Sequence, residues 1–394
     1  MLNRRILRVK AMQNLYAFQQ SKFSAYHAGA DMIIQNVTPG WDTEESMVEE
    51  MKTNKNNALA IYKANFQKDN IVLDEEVNIS IKSAVVEARN YYRQQTEKDV
   101  RHFRQNIVRF TDQVYYLYLL LLQFLPKVAD MISNEWHEKQ KKLSTRESAT
   151  VESKTGLNLV LNDVVAILRT NEKLNALQQE KKVSWQPYLD ELRRWYRDRL
   201  KQDELYQKYL SKKEPDFAAD LEIAEHIIKK LALKDDTLTP VFEALDICWT
   251  EDRKIVKSML TKTLKSVSED SHDLELALLS PNWEEDLQYC LDLYQYTVRE
   301  EKQNEEILSK HIKNWEIDRI ASIDYILLQM AISEMVNFPN IPVKVTINEF
   351  IEISKNYSTP KSKTFINGVL DVIATELTKE GKIRKSGRGL IDNK

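Results

Sequence analysis

Ile341-Pro-Val-Lys-Val-Thr-Ile-Asn-Glu349 and Lys355-Asn-Tyr-Ser-Thr-Pro-Lys-Ser-Lys-Thr-Phe-Ile-Asn-Gly-Val-Leu-Asp371 read as two helices joined by a short loop. Pro339 and Pro342 break whatever precedes them. Thr346 with Glu349 three residues later is a capping box, which predicts a helix starting there. That helix stops near Tyr357. Thr359-Pro360 then supplies an N-cap and a first-turn proline, and Phe365, Val369, Ile373 and Leu377 repeat every fourth residue along the next helix. Its first turn holds Lys361, Ser362 and Lys363. A helix N-terminus presents unpaired N–H groups and the positive end of the macrodipole, so two ammonium groups and a hydroxyl there suit a phosphate. From these residues alone, an ordinary capped helix with solvated lysines is the stronger reading.

At the other end, Asn3 to Gln20 reads as one helix. Leu7, Ala11, Leu15 and Phe18 form its stripe, and Val9, Met12 and Tyr16 widen the apolar side. Arg4, Arg5, Arg8 and Lys10 carry positive charge, and the first acidic residue is Asp31. Guanidinium forks match phosphate oxygens and stack on bases, which suits single-stranded RNA; the plain alternative is a solvated basic helix start. Positive charge in a first turn opposes the helix dipole at a cost of a few tenths of a kcal/mol, a mild misfit that favours function.

These runs, with Asn314-Trp-Glu-Ile-Asp-Arg-Ile-Ala-Ser-Ile-Asp324 upstream of the first pair, resemble the NusB family of bacterial transcription antitermination factors, in particular its enlarged Bacteroidetes form. The resemblance covers the C-terminal third and the first helix and fades between them. It implies an all-α fold, a helical bundle of NusB type with a large helical insertion. Arg4-Arg5-x-x-Arg8 and Ala11-x-Gln13-x-Leu15-Tyr16 fit the family's N-terminal pattern, whose arginines contact the boxA RNA element. Arg4, Arg5, Arg8, Lys361, Ser362, Lys363 and Phe365 are therefore the expected RNA contacts. Ile6 stands where many relatives have a third consecutive arginine, which implies a weaker or differently distributed grip. Lys361 stands where the family often has aspartate, which removes a repulsive charge near phosphate. Phe365 could stack a base, although it also fits the core stripe. Tyr16 and Asp324 match the surface that binds NusE, the ribosomal small-subunit protein that doubles as a transcription factor. The alternative for this pair is a half-buried tyrosine and a solvated aspartate.

The chain has 394 residues, with 42% hydrophobic and 30% charged, the balance of a soluble globular protein of about two or three domains. Only 7 glycines and 9 prolines occur and β-branched alternation is scarce, so helix dominates. A net charge of −3 excludes a polyelectrolyte that coats nucleic acid and confines RNA binding to local patches. Cys248 and Cys290 form neither a disulfide framework nor a metal spacing, and the start Met1-Leu-Asn-Arg-Arg lacks a signal peptide's apolar region, so a reducing cytoplasm is expected.

The expected organisation is a first NusB-like helix with a basic start over 1–30, a helical insertion over 31–105, and an enlarged central helical region over 106–240. A C-terminal NusB-like helical domain follows over 241–378, then a basic, disordered tail over 379–394. In the insertion, Trp41-Asp-Thr-Glu-Glu45 opens an acidic stretch and Asp74-Glu75-Glu76 interrupts the pattern, so a small helical hairpin or add-on subdomain is expected. Val114 to Leu125 is strongly apolar but shorter than the roughly 20 residues a membrane span needs, which predicts a buried core helix and no membrane. Ser144 to Thr155 is a Ser/Thr-rich loop. Leu157 to Leu233 reads as three amphipathic helices. One carries Trp185, Tyr188, Trp195, Tyr196, Tyr206 and Tyr209 among Arg193, Arg194, Arg197 and Arg199, with rings inward and arginines paired to neighbours as the favoured reading and an RNA surface as the second. Further helices are predicted over Leu238–Val267, Trp283–His311 and around Ile320–Met335, the last with Asp324 and Gln329 on its outer side.

None of the six histidines has a metal-ligand spacing beyond the isolated Glu269-x-x-His272, and there is no phosphate loop, dinucleotide fingerprint or nucleophile elbow. No metal, cofactor or catalysis is expected. Some ribosomal RNA cytosine methyltransferases carry a NusB-like domain at the front. They need a Rossmann-type domain after it, and this sequence runs only a few residues past those helices. The reading is an RNA-binding adaptor that holds a boxA-like element of nascent ribosomal RNA with NusE for the RNA polymerase antitermination complex, with a homodimer left open. The alternative is a helical protein–protein scaffold with vestigial RNA binding, which the absence of a basic surface joining the first helix to the Lys361 loop would favour.

Overall fold

A computed structural model describes residues 2–37, 45–68, 77–144, 156–270, 273–312 and 320–393. The acidic start at Trp41, the Asp74-Glu75-Glu76 break, most of the Ser/Thr loop, His272 and the Asn314–Arg319 part of the NusB-like run lie outside the described residues. Every described regular element is helical. The chain begins with α1 (Arg4–Val37), α2 (Glu45–Asn65) and α3 (Ile79–Ser144). Shorter helices follow: α4 (Asn158–Leu161), α5 (Asp163–Thr170), α6 (Glu172–Glu180), α7 (Leu189–Asp198), α8 (Glu204–Ser211), α9 (Phe217–His226) and α10 (Thr239–Leu245). Last come α11 (Trp249–Ser266), α12 (Trp283–Arg299), α13 (Glu301–His311), α14 (Ser322–Asn337), α15 (Val343–Tyr357) and α16 (Ser362–Lys379). Two compact units result, a central one of Met1–Asn3 with Val108–Trp283, and a terminal one of Arg4–Ile107 with Glu284–Lys394.

In the terminal unit α1 buries Leu7, Ala11, Leu15 and Phe18 as their spacing predicts, but it continues well past Gln20. Ala25, Gly29, Ile33 and Val37 extend the same four-residue repeat, and Ile33 and Val37 pack with Ala58 and Tyr62 of α2 and Ile81, Ala84, Val85 and Ala88 of α3. Gly29 faces the Tyr62 ring and the Ala88 carbonyl so closely that any β-carbon would collide with them. α14 is the hub: every residue from Ile326 to Met335 is buried, and α1, α13, α15 and α16 all contact it. Asp324 and Gln329, predicted on an outer side of this helix, are both buried, because its neighbours enclose it along most of its length. The predicted Trp283–His311 helix is broken at Glu300, which leaves helical geometry (φ −99°, ψ 12°) and accepts hydrogen bonds from Arg299 and Asn337.

α15 starts at Val343, three residues before the predicted capping box, and Pro342 is its N-cap. Thr346 and Glu349 do not cap it, because each bonds a distant helix instead. On α16 the buried stripe is Ile366, Leu370, Ile373 and Leu377, with Phe365 and Val369 half-buried beside it. The tail is ordered rather than disordered. Ile383 is buried, Lys385 Nζ donates to the Phe338 carbonyl (3.0 Å), Ser386 N–H donates to that of Pro339 (3.0 Å), and the absent side chain of Gly389 lets the backbone close on Pro339.

The central unit is built on α3 beyond Val108. Leu117 to Leu122, Phe124, Leu125 and Val128 are buried, and the helix runs through Pro126 to Ser144. By length and composition α3 could cross a membrane, but its apolar window is mostly buried inside the protein. Phe124 packs on Trp185 (5.2 Å) and Trp195 (4.8 Å), and the Trp185 indole N–H donates to the Leu120 carbonyl (2.8 Å). The three helices predicted over Leu157–Leu233 are instead the short helices α4 to α9. Asn162, Asn171, Asp203 and Asp216 each accept a hydrogen bond from a backbone N–H three residues on, so the chain restarts a helix four times. The Leu238–Val267 pattern likewise divides where Asp246 accepts from the Cys248 N–H. Trp185, Trp195, Tyr196, Tyr206 and Tyr209 point inward, spread over several elements, while Arg193 and Arg197 pair with Asp190 and Asp198 outside. Those five rings are buried and cannot stack on bases, and Tyr188 is half-buried, so the packing agrees with the favoured reading of that series.

Candidate nucleic-acid interface

Within the terminal unit the first turn of α1 lies against α12, α14 and α15, and each of its three arginines meets carboxylates. Arg4 donates through Nη2 to Glu285 (2.7 Å) and through Nε to Asp286 (3.1 Å), and its guanidinium lies 5.0 Å from the Tyr289 ring centroid. Arg5 makes a two-pronged pair with Glu349, both contacts 2.8 Å. These two side chains keep 38% and 46% of their surface in solvent. Arg8 does not: its side chain is 3% exposed and its fork holds Glu334 at 2.7 Å through both Nε and Nη2.

Glu334 is the centre of a sealed polar cluster. It also accepts from Thr346 Oγ1 (2.7 Å) and the Tyr289 hydroxyl, so each of its oxygens has two donors. Burial, the largest single influence, would lower the Arg8 pKa, but the charge and hydrogen bonds of Glu334, with Tyr289 and Glu349, together outweigh it and hold the guanidinium firmly protonated. Burial, reinforced by Glu334, pushes the Tyr289 phenol well above its usual value. Sequence reasoning missed both partners. The available signal for Glu334 was one acid within the apolar run Met330 to Met335, a position that needs a buried cation. Arg8 is therefore corrected from an RNA contact to the cation that completes this cluster, and Lys10, also buried, adds no surface charge.

Ser362 is corrected in the same way. It is buried, and its hydroxyl donates to Asp324 Oδ2 (2.6 Å) while lying 2.8 Å from Thr359 Oγ1 and 3.0 Å from Ser358 Oγ. Asp324 is accordingly neither a solvated residue nor an exposed docking acid: it is buried at the start of α14 and fastens the turn between α15 and α16. That turn presents Lys361 and Lys363 to solvent. Tyr16 stands outward on α1, 40% exposed. About 12 Å of α15 separates Glu349 from Tyr357 at 1.5 Å per residue, so Arg5 meets the middle of the helix and the lysine turn follows its C-terminal end.

Residues 250–375, from α11 into α16, match the NusB family model. The transcription antitermination protein NusB of Salinibacter ruber is 41% identical over 145 residues, 35% of this chain and 91% of that protein. The chain belongs to the NusB family. NusB of Chloroherpeton thalassium is 51% identical over 22% of this chain and 40% of its own, and NusB of Koribacter versatilis is 37% identical over 25% and 68%. The Thermotoga maritima NusB crystal structure is 25% identical over 34% of this chain and 82% of its own, with a TM-score of 0.24, too low for a structural argument. The NusB match includes Glu334, Glu349, Lys361 and Lys363; the α1 arginines lie outside it and join the site through contacts with its residues.

The Arg5 hydrogen bonds hold Glu349 below the usual carboxylate range, with the Arg8 charge adding to the effect. A depressed carboxylate pKa stabilises the fold above the unfolded value near 4.5, and that stability is lost as pH falls through the folded value. The acid-side loss should therefore be smaller in Glu349→Gln than in the parent. Thermal midpoints measured from pH 6 down to about pH 3 check this, and parallel curves would contradict it.

Proposed function

We propose that this NusB-family protein is an RNA-binding antitermination adaptor without catalytic activity. It holds a boxA-like single-stranded element of nascent ribosomal RNA together with NusE and delivers both to the RNA polymerase antitermination complex in the cytoplasm. Arg4 beside α12, Arg5 beside the middle of α15, and Lys361 and Lys363 after its C-terminal end are the phosphate contacts, and the half-buried Phe365 offers a ring edge beside the lysines. Arg8 and Ser362 position these contacts without touching RNA, and Tyr16 offers the exposed aromatic for NusE. The observation that carries this reading is the docking of the basic first turn of α1 on α15, the helix that ends in the lysine turn.

One observation favours the scaffold alternative: Glu349 and Glu352 interrupt the positive surface along α15, and Lys355 is engaged by Glu352. Titration of labelled boxA RNA and a scrambled control, with and without NusE at two salt concentrations, separates the two. Preference for boxA that NusE strengthens and that Arg4→Ala with Arg5→Ala abolishes supports the adaptor. Equal, salt-sensitive binding to both RNAs supports the scaffold. In the same assay Lys361→Asp should weaken binding and flatten the salt slope by about 0.7; unchanged affinity and slope would remove Lys361 from the interface.

A further inference from the structure

The two solvent-facing arginines of α1 hold carboxylates where RNA binding would have them hold phosphates. We propose that Glu349 and Glu285 act as displaceable counter-charges. They keep the Arg5 and Arg4 guanidinium groups in a phosphate-gripping geometry, yield to RNA when it arrives, and so set its affinity and salt dependence. This inference rests on the RNA-binding reading above.

Three features of the site carry it. The Arg5–Glu349 pair is two-pronged with both contacts at 2.8 Å, the same planar fork an arginine makes with a phosphate, so exchange of one anion for the other needs no new rotamer. The three arginines are also graded in exposure. Arg8 is locked to a fully buried carboxylate, whereas Arg4 and Arg5 keep 38% and 46% of their side chains in solvent, and Glu285, the Nη2 partner of Arg4, is 69% exposed. Surface pairs are weak enough for a competing anion to replace them, and buried pairs are not. Finally, Glu352 adds its negative charge to the field at Arg5 while itself bonding Lys355, so carboxylates stand between the arginines and the lysine turn. A simple strut joining α1 to its neighbours would not require acids along that path.

The test uses the full chain with a labelled single-stranded boxA-like oligonucleotide and a scrambled one of equal length, at two salt concentrations. Glu349→Gln and Glu285→Gln should each bind both RNAs about two- to fivefold tighter. The salt slope should steepen by up to about 0.7 for each phosphate contact released. Adding Arg5→Ala to Glu349→Gln should cancel that variant's gain. If the parent binds RNA and both glutamine variants bind equally or more weakly, the carboxylates are struts and the inference falls, while the RNA-binding reading stands. If the parent binds neither RNA, both fall. Because Glu285 lies at the exposed rim, its variant reports on counter-charge displacement even if Glu349→Gln loosens the seat of α1.

Discussion

Glu334→Ala should destabilise the terminal unit by about 3–5 kcal/mol, the usual cost of leaving a buried charge without its partner. Arg8 would keep its charge with 3% of its side chain in solvent, and its nearest remaining carboxylate is Glu349 at 3.6 Å, already held by Arg5. Thr346 and Tyr289 would lose the acceptor for their hydroxyl protons at the same time. Since α14 is buried from Ile326 to Met335 around Glu334, water cannot enter cheaply to replace the lost oxygens. Hydrogen exchange read on α14 peptides checks this. Protection within about 1 kcal/mol of the parent would mean that Arg8 finds another anion, and Glu334 would not be the centre of the cluster.

Phe124→Ala should cost the central unit about 3–5 kcal/mol, because a large buried ring leaves a cavity that its rigid neighbours cannot close. The ring meets Trp185 and Trp195 at 5.2 and 4.8 Å, and Trp185 is fixed in turn by its bond to the Leu120 carbonyl, which holds that indole back from the gap. Denaturant unfolding followed by tryptophan fluorescence gives the number. A loss under about 1 kcal/mol would show that the aromatic cluster repacks and that α3 is not its rigid base.

What was legible in the sequence was local. Four-residue spacing located the first half of α1 and the last helix, and the apolar stretch from Val114 to Leu125 announced the core of α3. What was not legible depends on partners far along the chain. Arg8 and Glu334 are 326 residues apart, and nothing in Arg4-Arg5-x-x-Arg8 marks the third arginine as the one that turns inward. The Thr346–Glu349 pair has the letters of a capping box, yet Thr346 serves Glu334 and Glu349 serves Arg5, so tertiary demand overrode a local motif. Asp324 and Ser362 misled in the same way: both are ordinary surface residue types, buried here where the Ser362 hydroxyl donates to Asp324 Oδ2. The tail misled through its composition, since three glycines and several cations suggest disorder, whereas one apolar residue, Ile383, and two carbonyl acceptors hold it in place.

In the proposed complex RNA lies along α15, between the exposed arginines of α1 and the lysine turn before α16. The direct measurement is photo-crosslinking of 4-thiouridine-substituted boxA RNA to the full chain, with the linked peptides identified by mass spectrometry. Crosslinks are expected within residues 3–9 and 355–366, reduced by excess boxA competitor and not by scrambled RNA. Crosslinks confined to the central unit, or the same peptides labelled equally by scrambled RNA, would contradict that path.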